Sequence, residues 1–118
     1  MNETEASDGA LDDFLRVDMR VGRVLEVTLN ERAKLPAYVM RIDFGLELGV
    51  KLSSAQLTEN YTPGDLVGRL VVAVCNLGVK RVAGVKSEVL VLGAVVAGGS
   101  GTRLLGLDRA VEPGTRVS

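Results

Sequence analysis

The groups whose types and spacing could do chemistry crowd between Asn76 and Glu88, in NLGVKRVAGVKSE: an amide at Asn76, cations at Lys80, Arg81 and Lys86, then Ser87 and Glu88. Ammonium and guanidinium groups gathered on one short connection are chemistry for an anion, above all for backbone phosphates. A hydroxyl beside a carboxylate can read a base edge or a 2′-OH, as single-stranded RNA recognition requires. Each group also has a plain structural use. The three cations can simply be solvated, and Asn76 can tie down the loop backbone. Glu88 can pair with Arg81 or Lys86, a surface ion pair worth about 0–1 kcal/mol. Interleaved with them are Leu77, Val79, Val82 and Val85. These apolar side chains either meet an apolar partner such as unfolded polypeptide or plug one end of the β structure.

Absences narrow the chemistry. The 118 residues include no histidine, the commonest general base and metal ligand. No C-x-x-C, G-x-S-x-G or P-loop occurs, and the acids form no obvious catalytic pair. The chain is therefore expected to be no enzyme, with no catalytic residue, metal or cofactor. The single cysteine, Cys75, lies in an apolar run and reads as a small core residue, a reactive thiol being the lesser alternative. A net charge of −1 hides an asymmetry: residues 1–18 hold six acids against Arg16, and residues 69–103 hold five bases against Glu88. Such a local basic field steers a polyanion even at near-zero total charge. The aromatic rings are Phe14, Tyr38, Phe44 and Tyr61. Sequence-neutral single-strand binding relies on stacking platforms worth about 1–3 kcal/mol per base, so a folded RNA held by shape and phosphates fits better.

Short strands must position these groups. With 47% apolar and 25% charged residues, the chain reads as one globular domain over 10–118 behind a mobile acidic tail, 1–9. ALDDFLR predicts a short helix capped by Ser7 or Asp8, with Leu11, Phe14 and Leu15 on one side. From Val17 the period becomes two, with Val17, Met19, Val21, Leu25, Val27 and Leu29 on one face and a bulge or sharp coil expected at Gly22. Tyr38, Met40, Ile42 and Phe44 form the clearest inward face, and a third strand is expected around 50–55. YTPGDLVGR predicts a helical turn capped by Thr62 with Pro63 at its first position. LVVAVC and VLVLGAVVA supply the fourth and fifth strands around the basic loop, and GTRLLGLD and GTRVS two shorter ones.

Five or more short strands with glycine-rich turns predict a small all-β barrel or sandwich. LVVAVC and VLVLGAVVA do not alternate, which implies cover on both faces, by the N-terminal helix and by a second subunit in a two-fold pair. Neither run is long enough to span a bilayer. The acidic N-terminus lacks the pattern of a secretory signal. The chain is accordingly read as cytoplasmic, without stable membrane insertion.

FLRVDMRVGRVLEV, PAYVMRIDFGLELGVKLSSAQLTENYTPGDLVGR, VCNLGVKRVAGVKSEVLVLG and VEPG, in that order, resemble the tRNA-binding-domain group. Within it the match is to the small stand-alone CsaA family of bacteria, whose relatives are appended to methionyl- and phenylalanyl-tRNA synthetases. The resemblance covers nearly everything from Phe14 to Gly114. It rests on D-x-R-V-G-x-V, D-F-G, S-S-A-Q-L-T, Y-T-P, L-V-G-R and S-E-V-L as a set. It implies a five-stranded OB-fold barrel with a short N-terminal helix and C-terminal strand extensions that form a homodimer. It also implies an export-related chaperone that holds unfolded precursor proteins for the export machinery, with tRNA-binding capacity on an overlapping surface. The alternative is a stand-alone tRNA-binding protein acting in trans with an aminoacyl-tRNA synthetase. The family's RNA-facing positions would fall on Asn76, Lys80, Arg81, Lys86, Ser87 and Glu88, with Lys51, Ser53 and Ser54 on a neighbouring strand. The sequence departs from the family at Gly64, where an acid is usual, and at Gly78 and Val79, where prolines or extra bases are common. The loop is correspondingly more flexible and less charged.

Overall fold

The structure, a computed structural model, describes residues 8–99 and 101–118; the readings that fall on residues 1–7, including Ser7 as a cap, lie outside the described residues. In chain order the elements are α1 (Ala10–Arg16), β1 (Met19–Leu29), β2 (Tyr38–Asp43), α2 (Gly45–Leu48), β3 (Val50–Ala55), α3 (Pro63–Leu66) and β4 (Leu70–Val74). They continue with β5 (Lys80–Val82), β6 (Val85–Ser87), β7 (Leu90–Val91), β8 (Gly93–Val95), β9 (Thr102–Leu104) and β10 (Arg116–Val117). The main sheet is antiparallel in the order β3-β2-β1-β4-β7, with β10 pairing β1 from outside. Hydrogen bonds between Leu52 and Glu88 bring its two ends together (2.8 Å each). The result is an all-β, nearly closed five-stranded antiparallel barrel of OB type with a short helix.

The inward parity of β2 is as expected: Tyr38, Met40, Ile42 and, just beyond, Phe44 are buried with Val24, Val71 and Ala73. Each large side chain taken fully from water contributes about 1.5–3 kcal/mol. Leu66, wholly buried, plugs one end of the barrel from α3. That turn is fixed locally: the Thr62 hydroxyl accepts from Asp65 N–H, the Asp65 carboxylate accepts from Thr62 N–H, and Pro63 takes the first position.

Four expectations need correcting. The cap of α1 is Gly9 in a left-handed conformation, so Asp8 does not serve. The bulge in β1 falls between Val24 and Glu26 and not at Gly22. Gly22 is there for room, since a Cβ would lie 2.6 Å from both Ile42 Cγ2 and Phe44 Cε1. LVVAVC is covered on both faces, but within one chain: Val71 and Ala73 face the barrel, and Val72 and Val74 are buried on the opposite side. The helix α1 buries none of its residues and is not that cover. VLVLGAVVA, finally, is not one doubly covered strand. It breaks at Leu92 into β7 and β8, and leaves Leu90 52% and Val95 84% exposed.

The sequence signatures that define the resemblance build the frame. Arg20, from D-x-R, donates to Asp18 (2.6 Å) and to Gly114 C=O (3.2 Å) and pairs with Glu47 (2.8 Å). Gly45 of D-F-G and Gly114 of E-P-G lie against each other's turns at positive φ (84° and 93°). A Cβ at Gly45 would sit 2.6 Å from Pro113 C=O, and one at Gly114 2.5 Å from Phe44 C=O. This clasp, with Gly114 N–H donating to Val21 C=O at 2.7 Å, seats the C-terminal strand on β1.

Candidate nucleic-acid interface

The connection between the fourth and fifth barrel strands is a hairpin, where the sequence reads as a loop. Lys80 faces Ser87, Arg81 faces Lys86 and Val82 faces Val85. The turn residues Ala83 and Gly84 both have positive φ (47° and 84°), the condition for a tight two-residue connection. Gly78, also at positive φ, swings the chain into it. Cross-strand partners share a face. Lys80, Val82, Val85 and Ser87 therefore point one way and Arg81 and Lys86 the other, where both are exposed.

Facing the hairpin is the connection between β1 and β2. Asn30 shapes it, accepting Arg32 N–H on its side chain (3.1 Å) and donating its own N–H to Ala37 C=O (2.8 Å). The loop carries Arg32 and Lys34, and the Arg32 guanidinium rests over the hairpin turn, where a Cβ at Gly84 would lie 2.8 Å from its Nη1. A groove of about 770 Å³ runs between loop and hairpin. Arg32, Lys34 and Lys80 line it, no carboxylate does among the described residues, and Ser54, Val82 and Leu90 form part of its floor. Arg32 and Lys34 escape sequence reading because NERAKLP looks like any solvated loop; only the fold sets it opposite the hairpin.

The expected RNA-facing residues separate into two groups. Lys80, Arg81, Lys86 and Ser54 lie at the groove or on the hairpin. Lys51 is half-buried on β3, close enough to Cys75 to act on its charge. Other side chains are bound internally. Asn76 accepts Asp18 N–H (2.9 Å) and donates to Arg16 C=O (2.7 Å), holding α1 against the end of β4. Ser87 Oγ accepts Ser54 N–H (3.1 Å), and Glu88 accepts Leu52 N–H (2.8 Å), so both close the barrel. Glu88 forms no ion pair with Arg81 or Lys86 among the described residues. Ser53 must be removed from the facing set: it is 1% exposed, its parity directing it into the barrel. Of the apolar candidates, Leu77 and Val79 are 61% exposed, while Val82 and Val85 are half-buried.

No aromatic ring lines the groove. Phe44 and Tyr38 are buried, Tyr38 donating to Tyr61 C=O at 2.9 Å. Tyr61 lies under Arg69 (5.2 Å) and accepts Leu104 N–H at 3.0 Å. Stacking is therefore unavailable there, and the surface offers cations and backbone. Burial pushes the Cys75 thiol up to about 11, in keeping with a half-buried core position. Among the described residues no group of three His, Cys, Asp or Glu side chains is placed to hold a metal. No described helix is long and apolar enough to cross a membrane.

A nearly closed barrel, plugged at one end and bordered by a basic loop and hairpin, defines an OB-type binding domain. The chain belongs to the family described as putative tRNA binding domain, which matches residues 19–116. Among solved structures it is similar to the chaperone CsaA from Bacillus anthracis str. Ames (45% identity, TM-score 0.87, covering 98% of this chain and 100% of that one). It is also similar to the CsaA chaperone protein from Picrophilus torridus (41% identity, TM-score 0.85, 92% and 98% covered). A methionine–tRNA ligase from Thermotoga maritima is 34% identical over 108 residues, 92% of this chain. The chain spans 16% of that ligase's length.

Proposed function

We propose that this protein is a non-catalytic, CsaA-like tRNA-binding protein, homodimeric and cytoplasmic, that also holds unfolded precursor polypeptides for export. The observation that carries the RNA reading is the exposed Arg81–Lys86 pair, free of carboxylate partners among the described residues, on a hairpin flanked by Lys80, Arg32 and Lys34. Phosphates crossing the barrel mouth would meet these cations, with Lys51 and Ser54 on the adjoining strand. The lack of a stacking ring supports recognition by shape and backbone over base reading.

A second observation supports the polypeptide-holding part: Leu77, Val79 and Leu90, which flank the hairpin in the chain, and Val95 on β8 leave apolar side chains in water. Exposed apolar surface on a small protein marks a partner. Paired titrations separate the readings, one with tRNA and one with an unfolded precursor, each at two salt concentrations. Binding of both, with a steep salt dependence for tRNA alone, is the expected result. If tRNA binds and the precursor does not, the protein acts purely on RNA, in trans with a synthetase. If neither binds, the proposal is lost.

A further inference from the structure

We propose that Arg69, held over the ring of Tyr61, is a stacking platform for one unpaired base of the bound RNA, beside the groove and outside it. This deepens the RNA reading above and rests on it.

The two side chains form a layer on the core. Tyr61 packs against the buried cluster of the barrel, and the Arg69 guanidinium sits 5.2 Å from its ring centroid, within cation–π range. Both residues are held in place before anything binds. Tyr61 N–H donates to Leu57 C=O (3.1 Å), its C=O accepts from Tyr38 Oη (2.9 Å) and its own Oη accepts from Leu104 N–H (3.0 Å). Arg69 N–H donates to Leu66 C=O (3.0 Å) and Arg69 C=O accepts from Val24 N–H (2.9 Å). Arg69 is half-buried, yet its guanidinium makes no hydrogen bond and no ion pair among the described residues. A planar cation fixed by a ring on one side has little ordering entropy left to lose when a second flat group meets it.

Position and charge select the occupant. Leu57 and Thr102 line the groove, and Tyr61 is bonded to Leu57 and to Leu104, so the platform adjoins the groove's end. RNA crossing the groove reaches it. Arginine planes and aromatic rings take unstacked bases. A phosphate fits less well there. The Asp65 carboxylate, held below its ordinary value by its bonds to Thr62, also feels the charge of Arg69, so it stands near enough to repel a second anion. A base carries no charge to be repelled. Bases in a duplex are already stacked on one another, so the platform tells a folded RNA with an unpaired base from a fully paired one.

The test uses the full-length chain and two fluorescein-labelled probes read by anisotropy at two salt concentrations, a tRNA and a fully paired RNA duplex. Wild type is compared with Arg69→Lys and Arg69→Ala, each checked for folding by circular dichroism. Lysine keeps the charge and loses the plane. Both variants are expected to bind tRNA about tenfold more weakly, with duplex binding and the salt slope for tRNA unchanged. If Arg69→Lys binds tRNA as wild type does while Arg69→Ala flattens the salt slope by about one, the guanidinium holds a phosphate and the proposal is overturned. Equal weakening of tRNA and duplex overturns it too, since paired bases have no use for the platform. If wild type binds tRNA and neither variant differs from it, only the platform falls; a wild type that binds no tRNA removes the RNA reading and the platform together.

Discussion

Glu88 spends its charge on the barrel, and its replacement tells this apart from RNA contact. Glu88→Ala leaves Leu52 N–H without its acceptor and should cost about 1–3 kcal/mol in urea unfolding. Glu88→Gln keeps an acceptor and should cost much less. Sequence could not settle this, because the partner lies 36 residues away and only barrel closure brings them together. Ser53 is hidden from sequence reading for a related reason: its neighbour Ser54 does face the groove, and parity on an edge strand is fixed by pairing that composition does not reveal. Cys75 was readable, since a cysteine ending an apolar run has little else to do. With its thiol raised from 9.0 to about 11 by burial, thiolate should be about a hundredfold scarcer at pH 8 than for an ordinary thiol, and iodoacetamide labelling of the native protein correspondingly slow. Stability moves in step with this shift. The folded form holds the proton more tightly, so this contribution is complete below pH 9.0 and is lost as pH rises towards 11. Labelling of native protein as fast as of urea-unfolded protein would contradict the burial of Cys75.

Elements whose geometry is set by adjacent residues were the easiest to read. YTPGD contains its own cap, its own proline and its own reciprocal carboxylate, so α3 needed no tertiary information. Thr62→Ala should cost about 1 kcal/mol of stability, measured by chemical denaturation. The Asp65 carboxyl is held below its ordinary value by the Thr62 backbone bond first and the Thr62 hydroxyl second. Its contribution is therefore present above the usual carboxylate range and is lost as pH falls through the depressed value. Gly22 is the opposite case. A glycine among alternating residues signals a bulge or a close approach equally well, and only the crossing of Ile42 and Phe44 decides for the second. Gly22→Ala should destabilise by about 1–3 kcal/mol through overpacking. A neutral result would show that β1 and β2 are less tightly apposed than 2.6 Å implies. The hairpin lay hidden because a turn at Ala83–Gly84 has only one glycine to announce it.

The whole molecule is less compact than its length requires. Its radius of gyration is 15.3 Å, against about 13.5 Å for a typical domain of this size, in line with α1 and the β8–β9 arm leaving Leu11, Leu15 and Val95 in water. Sequence pointed to a partner from both apolar runs: LVVAVC is satisfied within one chain, while VLVLGAVVA carries uncovered surface at Leu90 and Val95. Light scattering at micromolar concentration should give the mass of a dimer, and Val95→Asp should shift it towards monomer; a monomeric wild type would remove that part of the account. The family signatures, D-x-R, D-F-G and E-P-G, were readable because they build the frame. They do not by themselves place the RNA, and the cations proposed to do so sit on a hairpin and a loop with weaker patterns. The salt dependence of tRNA affinity therefore decides most directly. With Arg81→Ala and Lys86→Ala combined, the slope of log K against log salt should flatten by about two relative to wild type, roughly one for each phosphate no longer neutralised. An unchanged slope, or no tRNA binding by the wild-type chain, would contradict the assignment.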